Sequence, residues 1–175
     1  MGKTLILYYS KTGNNAMVAK QLSHDLAADL IAIRPRLDKL PLILLGCSMG
    51  ISPINVPLAD YQQLVICGPI WMGKLLAPIK QAAKQCRAIG KISMLSCCGS
   101  DERHQDGKFG YNPVFAQLKQ LLPTAQFQGF ALPVSLLLKP EQRDDQEAVM
   151  NARVDQDSFH GEFGTQYQRI LHALT

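Results

Sequence analysis

Apolar residues in this chain follow two rhythms, and the rhythms alternate. Short continuous runs, the length of a strand buried on both faces, give way to stretches where apolar residues recur every three or four positions. Residues 4–9 are the first run; from Asn14 onward Met17, Val18, Leu22, Leu26 and Leu30 fall at helical spacing, with Lys20, Ser23, His24 and Asp25 between them. A second short strand is expected at 30–34, ended by Pro35, and a third at 64–68. Next comes a helix with Pro78 in its first turn and Leu75, Leu76, Ile79, Ala82, Ala83 and Cys86 inward. A fourth strand at 91–96 leads into a polar loop, 97–110. The helix that follows, from about 112 to 122, turns Val114, Phe115, Leu118 and Leu121 inward and stops at Pro123. A fifth strand spans 126–132, residues 141–154 read as helical, 157–164 break the pattern, and 166–173 form a last short helix.

Strand–helix alternation repeated about five times implies βαβ crossovers, hence a parallel sheet covered by helices on both faces. The class is α/β, a three-layer doubly wound domain. With 175 residues, no internal repeat and no low-complexity linker, a single domain over 1–175 is expected. The stretch 35–63 is the exception to the rhythm. Residues 40–45 fit either a short helix or an extra strand, and Gly46, Gly50, Pro53 and Pro57 then enforce an irregular connection beside the loop after the third strand.

Composition narrows the class further. The chain is 47% hydrophobic, which excludes disorder, and no apolar run approaches the ~20 residues of a membrane span. The start leads straight into a strand without the pattern of a signal peptide. Cys47, Cys67, Cys86, Cys97 and Cys98 are odd in number and lie mostly in apolar segments, the usage of a reduced compartment, so a cytoplasmic protein is expected. The formal charge is +4, with Lys and Arg scattered and no interleaved aromatics, which gives nucleic-acid binding little support.

Three loops follow predicted parallel strands and so share the carboxyl edge of the sheet, where open α/β folds bind ligands. The first, Ser10-Lys11-Thr12-Gly13-Asn14-Asn15, places hydroxyls, amides and backbone N–H groups at the positive end of a helix. Such a set suits a phosphate, although Thr12 or Asn14 could equally serve as an ordinary helix cap. The loop is neither a Walker A motif, since no Gly-Lys-Ser/Thr follows Gly13, nor a three-glycine dinucleotide fingerprint, so its ligand is expected to be a mononucleotide. The second loop, Gly68-Pro69-Ile70-Trp71-Met72-Gly73, holds the chain's one tryptophan, a flat apolar partner for a planar ring. The third begins Cys97-Cys98-Gly99-Ser100-Asp101.

The first two loops resemble those of the flavodoxin family, whose phosphate loop reads Ser/Thr-x-Thr-Gly-Asn-Thr and whose ring-bordering turn is of the type Gly-x-Pro-x-Trp-x-Gly. Asn15 stands where the family has a threonine. The resemblance implies a five-stranded parallel sheet of order 2-1-3-4-5 and one non-covalently bound FMN. Its phosphate would lie on Ser10, Lys11, Thr12, Gly13, Asn14 and Asn15. Its isoalloxazine would sit between Pro69, Ile70, Trp71, Met72 and Gly73 on one side and Cys97, Cys98, Gly99 and Ser100 on the other, with Tyr111 a further ring contact. No side-chain acid or base is expected to act as catalyst, because the flavin carries the chemistry. Electron transfer to a redox partner protein is then the expected function. An NAD(P)H-dependent reductase of quinones or other small electrophiles is the alternative, and an interaction module that has lost FMN a third. Carrier flavodoxins are as a family markedly acidic, and at +4 this chain departs from them.

Other chemistries have less behind them. Adjacent Cys97 and Cys98 lack the Cys-x-x-Cys spacing of redox pairs, and small residues beside a cofactor account for them equally well. His24, His104, His160 and His172 show no metal-ligand spacing.

Overall fold

Five apolar runs become five parallel strands in the computed structural model, which describes residues 2–99 and 110–175. The strands are β1 (Lys3–Tyr8), β2 (Asp29–Ala32), β3 (Tyr61–Cys67), β4 (Lys91–Cys98) and β5 (Gln126–Pro133), ordered β2-β1-β3-β4-β5. The expected order 2-1-3-4-5 is therefore the observed one. Leu5, Ile6 and Leu7 of β1 are all fully buried, and the pleat explains why their run is continuous. Leu5 and Leu7 enter one core with Leu64, Ile66, Ile79, Ile92 and Met94, while Ile6 enters the opposite core with Val65, Leu95, Val18, Leu22 and Phe163.

The helices are α1 (Asn14–Asp25), α2 (Leu40–Leu44), α3 (Ala77–Gln85), α4 (Asn112–Leu121), α5 (Gln146–Asn151) and α6 (Gly161–Leu174). α2, of the two readings open for 40–45, is the helical one. Two expected elements change. The helix expected over 141–154 shrinks to the six residues of α5, because the Asp145 side chain accepts from Glu147 and Ala148 N–H and fixes the start. A capping box of Asp155 and Ser158 then opens a separate 3-10 turn. The final helix starts at Gly161 rather than near 166: Gly164 is no breaker there but a packing glycine, whose added Cβ would lie 2.4 Å from the Phe159 carbonyl oxygen.

The two non-repetitive connections, 33–57 and 134–160, sit on opposite faces of the sheet. The first buries Ile43 and Ile51 in the core under α3, and the second buries Ala152 and Val154 beside α1 and α6. No helix among the described residues is long and apolar enough to cross a membrane.

Candidate functional site

β1 and β3 are neighbours whose connections depart to opposite faces, which makes the crevice above their carboxyl ends the switch point of the sheet. Residues 9–13 leave β1 there. Gly13 adopts φ 95°, a left-handed conformation that a side chain would resist, and its N–H donates to Ser10 Oγ at 3.2 Å. α1 then begins without any side-chain cap. Capping by Thr12 or Asn14, the alternative reading of this loop, is absent, and the backbone N–H groups of Asn14, Asn15 and Ala16 precede the first intrahelical bond, Met17 N–H to Gly13 C=O at 2.9 Å. An uncapped helix start of twelve residues presents its orphan donors and its positive dipole end to this crevice.

Sequence reasoning aimed the two asparagine amides at the ligand, and the structure turns both inward. Asn15, 3% exposed, donates from Nδ2 to the Cys97 carbonyl (3.0 Å) and accepts the Cys97 N–H on Oδ1 (2.9 Å), pinning the end of β4. Asn14, 7% exposed, donates to the Ala152 carbonyl (3.1 Å) and accepts from Val154 N–H (3.1 Å). Each amide completes a two-bond clamp on buried backbone, so what these residues leave for a ligand is main-chain N–H. An amide serves such a clamp because it carries both donor and acceptor, which a threonine hydroxyl reaches less well.

Lys11, which the resemblance places on the phosphate, pairs with Asp38, whose other oxygen accepts from Tyr9 Oη at 2.8 Å. Burial alone would raise the Asp38 carboxyl, but hydrogen bonds from Lys11 and Tyr9 outweigh it and hold the group below the usual carboxylate range. Burial first, and the Asp38 carboxylate second, push the Tyr9 phenol far up. The Tyr9 ring meets Trp71 edge-on, with centroids 6.3 Å apart, so the connection 33–57 is coupled through one tyrosine to the tryptophan loop.

That loop is a tight reversal. Lys74 N–H donates to the Trp71 carbonyl at 3.0 Å, and Met72 (φ 52°) and Gly73 (φ 63°) between them are both left-handed. Positive φ at both central positions defines a type I′ turn, which a methionine occupies at a cost of about 1 kcal/mol. Trp71 is half-buried and Met72 is 60% exposed. Pro69 is buried and Ile70 half-buried behind them. Gly68 answers to packing rather than to a ligand, since a Cβ there would lie 2.5 Å from Ile79 Cδ1.

Cys97 and Cys98, expected to open a loop, are the last residues of β4, paired with Leu132 and Pro133. Both are buried reduced thiols, and burial pushes the Cys97 thiol well above its usual range, away from nucleophilic use. Gly99 is exposed, with Val149 of α5 against it at 3.4 Å from the position of an added Cβ. Tyr111 packs on Phe115 one turn along α4, at 5.6 Å between centroids. Ser100 lies outside the described residues.

Several residues at this edge carried no sequence signal. Asp38, Ala152, Arg153 and Val154 reach it only through the folded chain. The Ala152 carbonyl that receives Asn14 also receives Arg153 Nη1 at 2.9 Å, which sets a guanidinium beside the start of α1. Among the described residues, three surface clefts of about 570, 430 and 660 Å³ gather around His160; the second also includes Arg153, and none is lined by an expected site residue.

Solved structures share this architecture. A flavoprotein from Lactobacillus acidophilus NCFM, determined in complex with FMN, superposes with a TM-score of 0.59 at 16% identity, covering 75% of this chain and 93% of that one. The apo form of the Lactobacillus flavoprotein gives 0.56 at 19% identity, over 75% and 91%. A protein from Bacteroides eggerthii DSM 20697, assigned to the flavoproteins, gives 0.62 at 18% identity, over 86% and 94%. No family model and no curated protein matches the sequence. The strand order, the layers and these superpositions agree: this chain has the flavodoxin-like α/β fold.

Proposed function

We propose that this protein binds one FMN non-covalently at the β1–β3 switch point and passes electrons through it. The observation that carries this reading is the uncapped start of α1 facing the crevice, with the tryptophan turn on the neighbouring strand end. A phosphate dianion is the group such a start accepts. The main-chain N–H groups of Asn14, Asn15 and Ala16 and the Thr12 hydroxyl would hold it, and the Arg153 guanidinium would offset its charge. Lys11 is committed to Asp38 and holds the loop in shape instead. The half-buried Trp71 and exposed Met72 offer the apolar cover a tricyclic ring requires, and Gly99 leaves backbone approachable at the end of β4.

When bound, the flavin supplies one- or two-electron chemistry at its ring. The chain's residues orient it and exclude water from one face. The buried, raised thiols of Cys67 (pushed up to about 12) and Cys97 take no part. The FMN carried by the Lactobacillus neighbour of the same fold supports the assignment.

Titration with FMN tests it. Trp71 fluorescence should quench to a 1:1 end point with heat released in calorimetry, and Thr12→Ala should weaken binding. Absence of both quenching and heat would overturn the reading. Stopped-flow mixing of the loaded protein with NADH or NADPH then separates a carrier from a reductase, since only the reductase bleaches the flavin rapidly.

A further inference from the structure

The net charge of +4 conceals a division that becomes visible once the chain is folded. Residues 34–90 hold seven Lys and Arg against two Asp, whereas residues 140–162 hold two Arg and seven Asp and Glu. The basic stretch is gathered on one face. Connection 33–57 folds back on itself, with Pro35 bridged to Ile51 and the Arg34 and Arg36 backbones bonded to Ser52 and Gly50. It lies along α3, where Gln81 Nε2 donates to Ser48 Oγ at 2.6 Å and Gln85 Oε1 accepts from Ile54 N–H at 3.1 Å. Arg36 and Gln81 side chains both lie within 4.0 Å of the Cβ position at Gly50. Lys80 and Lys84 flank Gln81 on the same helix. Arg34, Arg36, Lys39, Lys80 and Lys84 are all exposed and have no carboxylate partner among the described residues, and the acid of this connection, Asp38, is neutralised by Lys11.

Large apolar side chains are exposed on the same connection and on the tryptophan turn: Leu45 at 74%, Met49 at 68% and Met72 at 60%. Methionine and arginine among exposed apolar surface is the composition of protein interfaces. Tyr9 links this connection to Trp71, so the face adjoins the crevice.

We infer that this face docks a redox partner protein through an acidic surface on that partner. The unpaired cations would steer and orient the partner, and Leu45, Met49 and Met72 would supply the dehydrated centre. Electron exchange in the docked pair rests on the flavin reading above; the docking face itself does not.

The test uses the full chain, isotope-labelled, with and without added FMN, and an acidic two-iron ferredoxin as the probe. Amide shifts should cluster at 34–50, 72 and 80–84. Affinity should fall about tenfold or more between low salt and 0.5 M salt. The double reversal Arg34→Glu/Arg36→Glu should weaken binding at least tenfold, and Lys80→Glu/Lys84→Glu should do so independently, guarding against misfolding of one variant. Met49→Ser should weaken binding severalfold at every salt concentration. Shifts confined to 140–162, unchanged affinity in both reversals, or tighter binding to phosphatidylserine vesicles than to the ferredoxin would each overturn the inference. Docking without FMN binding would sink the flavin reading alone, and FMN binding without docking would sink this one alone.

Discussion

The two irregular connections beside the crevice are held by opposite means. The 134–160 connection is clamped from inside: the buried amide of Asn14 takes both a carbonyl and an N–H of its backbone, and Ala152 and Val154 are buried on either side of Arg153. The 33–57 connection is held from outside, by exposed bonds to Gln81 and Gln85 and by the Lys11–Asp38 pair, over the buried anchors Ile33, Ile43 and Ile51. Buried hydrogen bonds are costly to lose because the abandoned partner has no water to turn to, whereas exposed ones trade with solvent. One connection is therefore part of the scaffold that shapes the helix start, and the other is a surface free to present charge.

The largest expected effect tests that contrast. Asn14→Ala leaves the Ala152 carbonyl and Val154 N–H unpaired in a buried setting and should cost about 2–4 kcal/mol in urea unfolding. It should also expose the 140–160 stretch to limited proteolysis, while 33–57 is cleaved as in the parent. Equal loss from Ser48→Ala would erase the distinction.

Tyr167 adds a second internal tie on the same side of the sheet as the 134–160 connection. Its ring meets Phe159 edge-on, with centroids 4.9 Å apart, and its hydroxyl donates to Asp25 at 2.7 Å. Burial alone would raise the Asp25 carboxyl, but hydrogen bonds from Tyr167, His24 and Gln21 outweigh it and hold the group below its ordinary 3.8. A depressed folded value means this stability is fully present above pH 4 or so and is lost as pH falls through the lower folded value. Tyr167→Phe should thus cost about 1–2 kcal/mol at pH 7. By pH 2.5 the difference between variant and parent should shrink; a gap that stays constant across that range would rule out the carboxylate as its source.

On the outer connection the effects are smaller. Asp38→Asn removes an ion pair that is 43% exposed on the Asp side, and should cost under ~1 kcal/mol in thermal melts. Salt should narrow the difference. The smallest perturbation is chemical labelling at pH 8. Cys47 of the outer connection is exposed, whereas Cys67, Cys86, Cys97 and Cys98 are buried, with Cys86 pushed up to about 11 by burial. A disulfide reagent should modify one thiol rapidly and all five only in denaturant. Two rapid thiols would mean that β4 opens more easily than its clamp by Asn15 implies.

Legibility in the sequence followed the same divide between local and distant causes. The strands expected at 4–9 and 64–68, found at 3–8 and 61–67, announce themselves because burial on both faces demands an apolar run through their centres. The loop 10–15 is legible as a polar interruption ahead of a helix. What that interruption does was only half legible. Asn14 and Asn15 looked like donors for a ligand, and their partners lie 138 and 82 residues away, beyond any periodicity. The same holds for Arg153 and Asp38, ordinary charged residues until the fold sets them beside the crevice. Residues 141–154 misled for a related reason: a helical rhythm was present, but the local caps of Asp145 and Asp155 broke it into pieces.

The sequence alone determined the class of fold, the order of its elements and which loops share the carboxyl edge of the sheet. These depend on patterns that repeat within a few residues and on the handedness of βαβ crossovers. Tertiary structure decided which polar groups remain for a ligand, which are spent on holding the chain, and that scattered cations share one face. Those outcomes depend on distances between residues remote in sequence, where a single hydrogen bond turns a candidate ligand group into a structural pin.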